Sequence, residues 1–598
     1  MPTSRHPQPA PIHYRVEPAD LHAHRFSVTL RIARPHALQE VSLPVWIPGS
    51  YLVREFSKNL QELKAQQGDH EVSLLQLDKH RWRVDCSADM PLVLTYSVCA
   101  YDSSVRTAWL DASRGFFNGT SLCLQVRGHE TQAHSLELAV TPATAGWSAA
   151  TALAALKTDP KGFGLYRAKD YDELADSPVE MGTFWEGNFT ACGVPHRFIV
   201  AGAAHSFDGE RLLADAQKIC ETAIRFWHGD AAPPFNSYLF MLNAVADGYG
   251  GLEHRNSTAL ICGRKDLPRV NESRSTEGYA TLLGLISHEY FHAWNVKRLR
   301  PAEFAQHDYD RENYTELLWF FEGFTSYYDD LLVRRAGLID SATYLKHVTK
   351  TVNQVLQTPG RALQTVAQAS FDAWVKYYRR DENTPNATVS YYTKGSLVAL
   401  CLDIALRREG KCSLDDVMRE LWKRCHGAQM TEDDLLAVLR ELGGRAFDAE
   451  IADWVHSTAE LPLAELLATQ GVHLRAQKPQ LAQRLGLRVA EDHSVQVKTV
   501  LRGGLAEQAG MTAGDEWLGV EVQGQGWRIS KLEDVTFFAG AEKSVTALVA
   551  RDGRMLRLAL ELHHGSHPET AGHAMGSATP DTVSLTVADA EALARWLG

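Results

Sequence analysis

Long apolar runs are missing from this 598-residue chain. Its most apolar stretches, residues 281–287 and 397–402, fall far short of the ~18 apolar residues that a membrane-spanning helix needs. The opening MPTSRHPQPAPIHY carries Arg5 but no apolar segment behind it, so no secretory signal is expected. A basic surplus is missing too: 61 Lys and Arg face 73 Asp and Glu, a net charge of −12. That balance argues against a nucleic-acid partner, because binding phosphates takes excess positive charge. No two of the nine cysteines have CxxC spacing, and their number is odd. This is the usage of a reducing compartment, where cysteine serves as a small core residue. A cytoplasmic location is therefore expected. Neither GxSxG nor GxxxxGK[ST] occurs, so nothing points to a serine elbow or a phosphate loop. Internal repeats and coiled-coil heptads are absent as well.

What is present is ordinary globular composition, 45% hydrophobic and 22% charged. The length suits two to four domains. The first stretch reads as strands. Phe26, Val28, Leu30 and Ile32 alternate with polar residues, the period of a half-buried strand. VSLPVWIP, PLVLTYSVCAY and SLELAV repeat the pattern, and an antiparallel β-sandwich buries such strands most simply. Near residue 210 the period lengthens. Leu212, Ala216, Ile219, Ala223 and Trp227 share one helix face, and Gly229 ends it. YLFMLN (238–243) reads as a strand, and residues 277–458 read as mostly helical. Short strand-like runs return over 475–562, and SHPETAGHAMGSATP reads as a linker before an apolar helical patch, ADAEALARWLG. His563, His564 and His567 read as a solvated cluster ahead of that linker.

The strongest local signal is His288-Glu289-Tyr290-Phe291-His292. Histidines at i and i+4 on a helix point to one side, so both imidazoles can reach one ion. Zinc accepts neutral imidazole nitrogen and keeps a position open for chemistry. Glu289 projects beside that position, where a carboxylate can take a proton from water. A third ligand is required. Glu322 lies among Trp319, Phe320, Phe321 and Phe324, an expensive place for a carboxylate without a cation. Glu316 is the competing carboxylate, on the less apolar side of the segment.

HEYFHAWN followed by FEGFTSYY resembles the gluzincin metallopeptidases, whose zinc is held by two histidines and a downstream glutamate. The IHYRVEPADLHAH…WIPGSYLVREF segment and the C-terminal region resemble the glycyl aminopeptidases, PDZ-bearing members of the aminopeptidase N clan. The likeness extends to about residue 562. It implies a multidomain α+β protein: an N-terminal β-sandwich (1–180), a mainly helical thermolysin-like zinc peptidase domain (181–462), a PDZ-like β domain (463–565), and a linker with a helical tail (566–598). It implies one Zn2+ on His288, His292 and Glu322. GYGGLEHRNS matches the clan's exopeptidase motif, in which a glutamate holds the substrate's free amino group. Glu253 takes that role, and Gly250 and Gly251 let the backbone approach the substrate closely. His254 stands where aminopeptidase N relatives carry Asn. Tyr391-Tyr392-Thr393-Lys394-Gly395 resembles the clan's Tyr-x-Lys-Gly segment. Tyr392 then stabilises the oxyanion, with Tyr391 as the fallback. GGLAEQAGMTAGDEWLGV resembles the PDZ signature, and Leu485-Gly486-Leu487 would be its carboxylate-binding loop for a peptide C-terminus.

The expectation is a zinc aminopeptidase acting on peptides with a free N-terminus and preferring Gly or another small first residue. Glu289 assists the attack of zinc-bound water. Two rivals remain: a zinc endopeptidase whose PDZ domain selects substrates, and a non-catalytic PDZ scaffold.

Overall fold

A computed structural model describes residues 9–272, 274–563 and 582–598. The linker expected at 566–580, His564, His567 and the segment around Arg5 lie outside the described residues. The chain forms two compact units. The first takes in residues 1–315, 328–339 and 418–435, and the second 316–327, 340–417 and 436–598. Among the described residues, no helix is long and apolar enough to cross a membrane.

The first unit begins as β structure. Arg25–Ile32 is a strand with Phe26, Val28, Leu30 and Ile32 fully buried, as the period-two pattern requires. It pairs antiparallel with Ile12–Asp20 on one side and Leu92–Cys99 on the other, inside an eight-stranded sheet. Two four-stranded sheets accompany it. One apolar core joins all three sheets through residues such as Val28, Val41 and Val179.

Two details depart from the sequence reading. Ile12–Asp20 pairs parallel with His134–Leu138, so the large sheet is mixed rather than wholly antiparallel. A parallel pair needs a long crossover, and the intervening hundred-odd residues, which build other strands, supply it. In VSLPVWIP only the start is strand, within Leu38–Ser42. Pro44 and Pro48 lack a backbone donor, and residues 43–46 run as buried irregular chain.

A five-stranded sheet follows in the same unit, with Tyr238–Val245 at its centre. That strand runs parallel to Val194–Ala201 and to Ser257–Gly263. The helix Gly209–His228 provides the first crossover, and Gly229 closes it at φ 60°. Tyr249–Glu253 is the edge strand, antiparallel to Ser257–Gly263.

The second unit holds the helices Ser341–Leu356 and Thr393–Glu409 and a C-terminal sheet. That sheet runs from Leu487 to Glu561 and has its own core around Val497, Trp517, Val520 and Val535. The described part of the tail is more than a helix. Thr582–Val587 pairs antiparallel with Val472–Gln477, and Ala590–Leu597 is helical. Trp596 is 1% exposed, and its indole donates to Asp403 Oδ2 at 3.2 Å. Asp403 also accepts from the Tyr327 hydroxyl at 2.7 Å and from the Leu414 amide at 2.9 Å. Removing the indole takes a large apolar body and one donor from this buried carboxylate. Trp596→Ala is therefore expected to cost about 3–5 kcal/mol, read as a lowered denaturant midpoint.

Candidate metal centre

The helix Glu277–Phe291 carries the HExxH segment. Thr276 caps it, its hydroxyl accepting from the Tyr279 amide at 3.1 Å. Leu282, Leu283, Leu285 and Ile286 bury it, so the helix enters the interior and its C-terminal turn presents the histidines. His288 and His292 lie one turn apart, with ring centroids 4.7 Å apart.

Each ring has its Nδ1 engaged. His288 Nδ1 donates to Asp329 Oδ2 at 3.0 Å, and His292 Nδ1 donates to the Asn295 carbonyl at 2.6 Å. A carboxylate or a carbonyl can only accept, so each Nδ1 carries the proton. The two Nε2 atoms then face each other as lone pairs at 3.1 Å. A cation between them would engage both lone pairs. Two nitrogens on one tetrahedral zinc lie about 3.3 Å apart. Ligand atoms of His288, His292 and Glu322 all lie within 4.8 Å of one another. The donor set, two neutral imidazoles and a carboxylate, therefore fits zinc in both distance and ligand type. Burial pushes the Asp329 carboxyl up to about 6, opposed by the hydrogen bond from His288 and reinforced by the neighbouring Asp330 charge.

Glu322 is 1% exposed and stands at the join of two helices, Leu318–Phe321 and Gly323–Arg335. Its amide donates to the Leu318 carbonyl and its carbonyl accepts from the Ser326 amide, both at 2.8 Å, so backbone pairing continues through the join.

Glu289 is 4% exposed, and bare backbone of the strand Tyr249–Glu253 comes up against it. A Cβ on Gly251 would stand 2.1 Å from Glu289 Oε1. Gly251→Ala must therefore displace the carboxylate. An ångström of misplacement is expected to lower kcat/KM by about 10²-fold, with zinc content unchanged, as steady-state kinetics and metal analysis would show. Gly250, next in the strand, pairs with Ile261. Glu253 closes the strand and is also 4% exposed. Its Oε1 has no hydrogen-bond partner among the described residues. Gly49, at φ 93°, passes so close that a Cβ there would lie 2.4 Å from that oxygen. The first unit thus brings His288, His292, Glu289, Gly250, Gly251 and Glu253 onto one helix and the strand beside it.

In the second unit Tyr392 caps the start of Thr393–Glu409. Its hydroxyl lies 3.1 Å from that of Tyr378. Desolvation pushes the phenol well above its usual value, and the Glu322 charge adds to that, so it stays a neutral donor. Tyr391 is fully buried, whereas Tyr392 is only half-buried.

Several neighbours escaped sequence reading. Arg106 donates to the Gly251 carbonyl at 3.1 Å from 145 residues away, and no local pattern marks it. Asp329 carried one weak signal, a carboxylate two helical turns beyond Glu322 in an aromatic segment. Gly49 lies in the WIPGSY turn, where the glycine alone says nothing about Glu253.

Residues 13–183 match the Peptidase M61 N-terminal domain, and residues 281–398 match the M61 glycyl aminopeptidase domain. The crystal structure of an aminopeptidase N family protein from Idiomarina loihiensis is 36% identical. It covers 98% of this chain and 100% of its own, with a TM-score of 0.92. A point mutant of an M1 zinc metallopeptidase from Deinococcus radiodurans is 16% identical. It covers 76% of this chain and 96% of its own, with a TM-score of 0.47. No curated protein matches the sequence. With both domains found in order and a relative this similar along the full length, the chain belongs to the M61 glycyl aminopeptidase family.

Proposed function

We propose that the protein is a zinc-dependent aminopeptidase that removes the N-terminal residue of peptides, with Gly or another small residue preferred. The observation that carries this is the pair of Nε2 lone pairs 3.1 Å apart with Glu322 close by. His288, His292 and Glu322 would hold one zinc ion. When bound, zinc supplies Lewis acidity, which polarises a carbonyl and acidifies water. Glu289 takes a proton from the attacking water and hands it to the leaving amine. Tyr392 donates its hydroxyl hydrogen to the carbonyl oxygen as negative charge builds there. Its partial exposure favours it over the fully buried Tyr391. Glu253 receives the substrate's α-ammonium, a role that suits a buried carboxylate oxygen with no donor among the described residues. Gly250 and Gly251 let peptide backbone lie along the edge strand.

The peptidase chemistry is assigned to residues 181–462, thermolysin-like in this reading. The β-rich residues 1–180 are read as a sandwich and 463–565 as a PDZ-like domain with Leu485-Gly486-Leu487 as its carboxylate loop. The test uses the zinc-loaded full chain. Glycyl- and alanyl-anilides with free amines are expected to be cleaved, and their N-acetylated forms not. Cleavage of acetylated or internal bonds would make the enzyme an endopeptidase and remove the role given to Glu253. No cleavage of any substrate by zinc-replete protein would overturn the assignment.

A further inference from the structure

Immediately after Glu253 the chain turns into a buried ionic cluster that none of the catalytic roles uses. Asp176 is at its centre. It accepts from His254 Nδ1 at 3.1 Å and from the Arg255 amide at 3.1 Å, the two residues that follow Glu253. It also pairs with Lys297 Nζ at 2.6 Å. Lys297 is 7% exposed and lies in the turn after the metal-site helix, its amide donating to the His292 carbonyl at 3.1 Å. One carboxylate therefore ties the end of the Glu253 strand to the turn that follows His292.

The surroundings of this tie are costly. Burial alone would raise the Asp176 carboxyl, but Lys297, His254 and Arg255 reverse that and hold it far below the usual carboxylate range. Buried ion pairs of this kind seldom add net stability over an apolar substitute. Beside Lys297, Val296 sits at φ 137°, a conformation that a β-branched residue adopts only when its surroundings impose it. Glu253, Gly49, Asp176, Val296 and Lys297 together line a small cavity of about 20 Å³, room for one water molecule. On its other side the backbone of Gly49 closes on the carboxylate, a Cβ there standing 2.4 Å from Glu253 Oε1, and this limits how far Glu253 can shift. Strain, charge burial and close packing all converge on the distance between the Glu253 carboxylate and the metal-site helix.

We propose that Asp176 is a positioning residue for the substrate amine: it fixes Glu253 relative to the His288–His292 turn and so sets the first peptide bond as the one presented for cleavage. This rests on the reading of Glu253 as the ammonium acceptor. His254 acts in the same tie, which accounts for an imidazole next to Glu253: its Nδ1–H reaches the carboxylate of Asp176.

The test compares inhibition by alanine hydroxamate and N-acetyl-alanine hydroxamate in the zinc-loaded full chain, with zinc content and thermal midpoint measured alongside. The readout is the ratio of the two inhibition constants, which reports recognition of the free amine. Wild type is expected to favour the free amine strongly, and Glu253→Gln to abolish most of that preference. Asp176→Asn is expected to lower it about 10-fold, with zinc content and affinity for the acetylated compound unchanged. The double variant should match Glu253→Gln alone, because the two residues act as one unit. A merely structural Asp176 would lower the thermal midpoint and leave the ratio where it was, and that result overturns the proposal. So does a double variant whose effect is the product of the single ones. If Glu253→Gln itself leaves the ratio unchanged, the amine-site reading falls and the proposal falls with it. Should Asp176→Asn fold poorly, Lys297→Gln probes the same tie. A ratio lowered about threefold is expected there, and an unchanged ratio counts against the proposal.

Discussion

Glu289→Gln is expected to keep its zinc and to lose about 10²–10⁴-fold in turnover of alanyl-anilide. The substitution is nearly isosteric, which matters where Gly251 has yielded its side-chain space to this carboxylate. A carboxamide occupies the same room but cannot accept the proton from water. The proposed ligand residues are untouched: His288 keeps its hydrogen bond to Asp329 and His292 keeps the one to the Asn295 carbonyl. Metal analysis should therefore give the same zinc content for variant and wild type, while single-turnover kinetics separate them. A variant that turns over within tenfold of wild type would mean that Glu289 is not the base. A variant that loses both zinc and turnover would mean that its carboxylate serves the metal.

Glu322→Gln is expected to have the larger effect on metal binding. A neutral amide would replace the proposed charged ligand, whereas removing a partner behind a ligand, as in Asp329→Asn, is expected to cost only about 10–100-fold in metal affinity. The Glu322 variant should exceed that in competition titrations with a chelator. Stability provides a second readout. Glu322 is 1% exposed, and its chain neighbours Trp319, Phe320, Phe321 and Phe324 are fully buried, so a bound cation would offset a large desolvation cost. Zinc at 100 times its dissociation constant adds about 2.7 kcal/mol to the folded state. Chelation should therefore lower the thermal midpoint of wild type clearly and that of Glu322→Gln little. Equal shifts in both would show that the ion stabilising the fold is held elsewhere.

How much of this could be read from the chain follows from the range of the forces involved. The i, i+4 spacing of His288 and His292 is a local property, because 3.6 residues make one helical turn whatever surrounds it. The alternation from Phe26 to Ile32 is equally local, and its burial in the structure follows directly. The break at Pro44 is equally local, because proline removes a ladder donor from the apolar pattern of VSLPVWIP. ADAEALARWLG predicts the helix of the tail but nothing local predicts the strand before it, because Thr582–Val587 becomes a strand by pairing with Val472–Gln477.

By itself, then, the sequence determined the helix that carries two histidines on one side, the β-rich N-terminal region and the family to which the chain belongs. Each rests on short-range periodicity or on motifs contiguous in the chain. Tertiary structure alone decided which carboxylate stands behind His288, what backbone Glu289 and Glu253 meet, and where His254 points. Asp329 lies 41 residues from His288, Asp176 lies 78 from His254, and Arg106 lies 145 from Gly251. Such pairings arise when packed elements expel water and each buried polar group must find a partner within about 3 Å. No sequence period encodes that requirement.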